Sequence, residues 1–110
     1  IDFYFACEDF FAYDLAIVLN AWCFEAGKEF NATKSRFLLQ AYQALRPLTN
    51  AEKTAFPLLV RGAALRFLLT RSYDWLHRSK DALVTPKDPL EYLAKLRFHQ
   101  QARGGEEYGV

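Results

Sequence analysis

The chain has no surplus of charge and few cysteines or histidines. Fourteen Lys and Arg stand against thirteen Asp and Glu, a net charge of +1 over 110 residues, so there is no electrostatic footprint for nucleic acid. Only two cysteines occur, Cys7 and Cys23, both in apolar runs without metal-ligand spacing. They read as buried, reduced thiols of a cytosolic protein. The two histidines, His77 and His99, lack ligand partners in the sequence and read as surface residues. No apolar run approaches the roughly 20 residues that cross a bilayer. Internal repeats and low-complexity stretches are absent. The first residue is Ile rather than Met, and the chain reads as a cytoplasmic segment cut from something longer.

Apolar material is plentiful: 52% of residues are hydrophobic and 16% aromatic, enough for one packed domain. Periodicity predicts a mainly α fold. Residues 1–6 are β-prone and read as a short strand needing partners from elsewhere. A first helix over 10–24 is apolar nearly all round, which predicts burial on all sides, with Gly27 ending the element. Asn31 should cap a second helix over 32–46, with Phe37, Leu38, Ala41, Tyr42 and Leu45 as its apolar stripe and Pro47 as its stop. Thr49 and Glu52 form a capping-box pattern for a third helix reaching about His77, kinked or broken near Phe56 by Pro57.

Residues 80–87 read as a loop. Asp88, Pro89 and Glu91 then open a fourth helix over 89–102, with Leu90, Leu93, Leu96 or Arg97 and Ala102 along one side. The helical part is expected to cover 1–103 and the tail, 104–110, to be loose.

Two features point toward chemistry. Asp14 is the only charge in the run from Phe10 to Phe24, and its helical neighbours Phe10, Ile17, Val18 and Ala21 are apolar. A buried carboxylate there requires hydrogen-bond donors from outside its own helix. On the third helix, Gly62, Arg66, Thr70, Tyr73 and His77 share one face at steps of three and four. That polar strip either lines a cleft for a small polar ligand or faces water, with Arg71 and Asp74 pairing locally.

The residues also carry a resemblance. Ile1-Asp2-Phe3 with Ala6, followed by Ala12-Tyr13-Asp14-Leu15-Ala16, resembles the later part of the signature of aminoglycoside phosphotransferase and choline kinase-like enzymes. The blocks NAWCFE and DPLEYLAKLRFH are similar to the C-terminal part of bacterial homoserine kinases of that superfamily. The resemblance implies the helical C-terminal lobe of a protein-kinase-like fold, ATP and magnesium as cofactors, and L-homoserine as the phosphate acceptor in threonine biosynthesis. It implies that Asp2 is a magnesium ligand and that Asp14 holds the backbone of a catalytic loop rather than shuttling protons.

The Gly-rich cover, the phosphate-contacting Lys and the catalytic loop would belong to the missing N-terminal lobe upstream. This segment alone is expected to be inactive. Arg66 is the candidate for the homoserine carboxylate, with Asn20, Trp22, Tyr73 and Trp75 as weaker candidates for the pocket wall. The alternatives are another acceptor (choline, methylthioribose or an aminoglycoside) or a helical interaction module without catalysis.

Overall fold

A computed structural model describes residues 3–26, 29–77 and 88–110, with side chains from Ala12 onward. The mainly α architecture is as expected. Helix α1 spans Phe3–Trp22, so the strand expected over 1–6 is corrected: Phe3 to Ala6 form the first turns of α1. A lone strand leaves its N–H and C=O groups unpaired, whereas a helix pairs them internally. The chain then makes a small antiparallel hairpin, β1 (Phe24–Glu25) with β2 (Glu29–Phe30), Phe24 facing Phe30. Helix α1 therefore ends at Trp22, earlier than expected; Gly27 lies outside the described residues.

Helix α2 spans Ala32–Leu45, and Asn31 caps it by accepting from the Lys34 N–H at 3.0 Å. Its buried face is only partly the expected stripe: Leu38 and Tyr42 pack half-buried against the core. Ser35 and Leu39 are fully buried, while Phe37 and Ala41 are exposed and Leu45 is 91% exposed. Helix α3 spans Asn50–Leu76 as one element, so Pro57 does not break it. The capping box forms in full: Thr49 Oγ1 accepts from Glu52 N–H at 3.1 Å, and Glu52 Oε1 accepts from Thr49 N–H at 2.8 Å. Glu52 also meets Arg46 at 3.1 Å. Burial pushes the Glu52 carboxyl up, but the Thr49 N–H and the Arg46 guanidinium outweigh it and leave the carboxyl below its ordinary value.

Helix α4 spans Leu90–Gln101, and Asp88 Oδ1 accepts from the Leu90 N–H at 2.9 Å. Glu91 does not close a capping box. It pairs with Arg71 of α3 at 3.2 Å, and the Arg71 guanidinium sits 4.3 Å from the Tyr92 ring centre, so the expected Arg71–Asp74 pair is replaced by a bond between helices. The buried face of α4 is Tyr92, Lys95 and His99, whereas Leu90 is exposed.

Helix α3 packs chiefly against α1 and α4. Alanines make the close approach: Ala12 and Ala16 of α1 and Ala63 and Ala64 of α3 are all fully buried. Phe24, Phe30, Phe98 and Tyr108 form an aromatic cluster around this core, Phe30 stacking on Phe98 at 4.4 Å. Tyr108 corrects the expected loose tail. A short 3-10 turn at Gly105–Glu107 delivers its ring to the core, and its carbonyl oxygen accepts from Ser35 Oγ at 2.6 Å.

Candidate functional site

The surface around Asp14 is the first part of the site. Asp14 is exposed, and along its flank Val18 is half-buried and Ala21 exposed. The sequence placed these residues on one face correctly, but the expected burial is corrected. Nothing in the described residues covers that face, so the desolvation cost inferred from the apolar run does not arise here. From Ala12 to Trp22, helix α1 is consequently buried on one side rather than all round.

Beside Asp14, Tyr13 meets α3. Arg66 Nη1 donates to Tyr13 Oη at 3.4 Å, and this bond raises the already high Arg66 value further. The strip containing Arg66 is exposed at every position: Gly62, Arg66, Thr70, Tyr73 and His77. Thr70 Oγ1 donates to the Arg66 carbonyl oxygen at 3.0 Å, and the Tyr73 and His77 rings stack at 4.1 Å. Among the described residues the strip faces water.

The candidate residues do not converge. Tyr73, 63% exposed, lies two turns, about 10 Å, beyond Arg66 along α3. Trp75, also exposed, is two residues further on and points to another side of the helix. Trp22 is 68% exposed and lies about 13 Å along α1 from Tyr13. It lines a separate apolar groove of about 490 Å³ with Cys23, Phe37 and Leu38. Cys23 is a buried free thiol, as expected, and burial pushes it up to about 11.

Asn20 turns inward instead of lining a pocket. Its Nδ2 donates to the carbonyl oxygens of Ala16 and Val60, both at 3.1 Å. Those two bonds fix the amide orientation and leave Oδ1 as an acceptor, which meets His99 Nε2 at 2.7 Å. His99 Nε2 must therefore carry a proton. In the neutral ring Nδ1 is then an acceptor, and Tyr108 Oη donates to it at 2.8 Å. Lys95 Nζ donates to the Asn20 carbonyl oxygen at 2.7 Å, and Arg61 Nε to the His99 carbonyl oxygen at 2.9 Å.

The surface role expected for His99 is thus wrong: it is fully buried, and burial, then Arg61 and Lys95, lowers it to about 4. His77 is exposed, as expected. The sequence signal for this network was the polar Asn20 inside the apolar run, a buried amide needing partners.

Asp2 lies outside the described residues. Among the described residues no three His, Cys, Asp or Glu side chains gather where they could hold a metal ion. Likewise, no described helix is long and apolar enough to cross a membrane.

Comparison with known proteins agrees with this frame. Residues 1–48 match the profile of the Phosphotransferase enzyme family. Over all 110 residues the chain is 64% identical to a homoserine kinase of Xanthobacter autotrophicus, 61% to one of Rhodospirillum rubrum and 59% to one of Rhizobium johnstonii. It spans about a third of the length of each, 34%. The first 48 residues are thus similar to the phosphotransferase enzyme family, and the whole chain is similar to the C-terminal third of homoserine kinases.

Proposed function

We propose that the chain is the C-terminal helical part of an ATP-dependent kinase that phosphorylates the side-chain hydroxyl of L-homoserine, a cytoplasmic step of threonine biosynthesis. The observation that carries this reading is the 64% identity over every residue of the chain to a protein named homoserine kinase. The exposed Asp14 face supports it, because a carboxylate flanked by half-covered apolar residues suits a surface that another part of the same protein covers.

In this reading Asp2 supplies a carboxylate oxygen to magnesium. Held there, magnesium would supply positive charge to offset the negative charge that grows on the phosphates during transfer. Asp14 accepts from backbone N–H groups of the catalytic loop in the remainder of the protein and so fixes its geometry. Arg66 is oriented by Tyr13 and offers its guanidinium to the homoserine carboxylate. The test is phosphotransfer by the intact protein with homoserine, choline and methylthioribose side by side. Turnover of homoserine well above the other two is expected; preference for another acceptor, or none, overturns the reading.

A further inference from the structure

We propose that the buried chain Tyr108–His99–Asn20–Lys95 is a positioning device for Asp14, setting the rotation and height of helix α1 from its far end. This rests on the kinase reading above, in which Asp14 holds the catalytic loop. The last carbonyls of a helix have no partner within it, and the Asn20 carbonyl near the end of α1 receives the buried Lys95 ammonium. The Asn20 side chain is tied separately to the Val60 carbonyl of α3 and to His99 of α4. His99 is held in turn by Tyr108 of the C-terminal segment. A bond on the backbone and two from the side chain leave this turn of α1 no freedom to slide or roll.

Asp14 lies six residues, about 9 Å, earlier on the same helix. A carboxylate about 5.5 Å from the axis moves about 1 Å when the helix turns by about 10°. Displacements of that size at a catalytic group are enough to slow turnover by orders of magnitude. The four side chains are buried, out of reach of a ligand at the surface, so loss of the network should lower kcat and leave binding alone.

The experiment is a cycle in the intact enzyme, combining His99→Leu and His99→Gln with Asp14→Asn, with kcat and KM measured below each variant's melting temperature. His99→Leu is expected to lower kcat about tenfold, with both KM values within about threefold. His99→Gln should recover most of that loss, since its amide N–H still reaches Asn20 Oδ1. In the Asp14→Asn background, His99→Leu should cost less than about threefold more, because the two act through one contact.

An equal tenfold loss in both backgrounds, or no loss in either, overturns the proposal. Should His99→Leu fail to fold, Tyr108→Phe replaces it in the same cycle. A smaller kcat loss confined to the Asp14 background is then expected, and equal losses overturn it. Lack of homoserine turnover by the parent enzyme strikes the kinase reading instead.

Discussion

Lys95 Nζ lies 2.7 Å from the Asn20 carbonyl oxygen, so a buried cation closes the C-terminal end of α1. The negative end of the helix dipole and the Tyr92 ring, 4.3 Å from Nζ, both favour the charge there. Lys95→Met keeps much of the volume and removes the bond. We expect a loss of about 1–3 kcal/mol, the scale of a charged hydrogen bond, read as a lower denaturant midpoint in the intact protein. An unchanged midpoint would mean that desolvating the ammonium cancels its bond.

Acid should weaken the fold through His99. Burial, then Arg61 and Lys95, hold it at about 4 against an ordinary 6.5. Asn20 and Tyr108 occupy its two nitrogens, and Phe24 and Phe98 pack on the ring. Below pH 6.5 the unfolded chain takes up a proton that the folded chain refuses. The stability held above that pH therefore falls on acidification, by on the order of 3 kcal/mol by about pH 4. Melting temperatures across that range should decline less steeply for His99→Gln, and equal slopes would refute the assignment.

Gly109 holds the C-terminal segment against α2. Its φ is +100°, and a Cβ there would lie 3.1 Å from the Arg36 Cα. Gly109→Ala meets both the left-handed penalty and a backbone contact that cannot swing aside. A cost of about 1–3 kcal/mol is expected, with faster amide exchange at Tyr108. Unaltered stability would show that the segment docks differently.

Arg66→Ala tests the acceptor pocket. The homoserine KM should rise about tenfold or more, while the ATP KM stays within about twofold, as befits loss of a charged contact to one substrate. No change in the homoserine KM removes Arg66 from the pocket.

What could be read from the sequence was local. The Asn31 cap and the Thr49–Glu52 box each involve atoms three residues apart, and both form as their patterns imply. Burial depends on partners far along the chain. Ser35 is buried because Tyr108, 73 residues away, bonds to it, and His99 because Asn20, 79 residues away, does. Periodicity alone chose the leucine side of α4 and missed Lys95 and His99, whose polar atoms are acceptable inside only once those partners exist. Asp14 shows the converse, since its face was legible and its exposure depends on what covers that face. Asp2 lies outside the described residues, so its role rests on the resemblance alone.

Pro57 carries one more implication. Helix α3 runs unbroken past it, yet proline has no N–H to offer the Lys53 carbonyl four residues back. The capped first turns are thus joined to the Arg66-bearing stretch through a ladder missing one rung. Any flexing of this long strut should concentrate there, swinging Arg66 relative to Thr49.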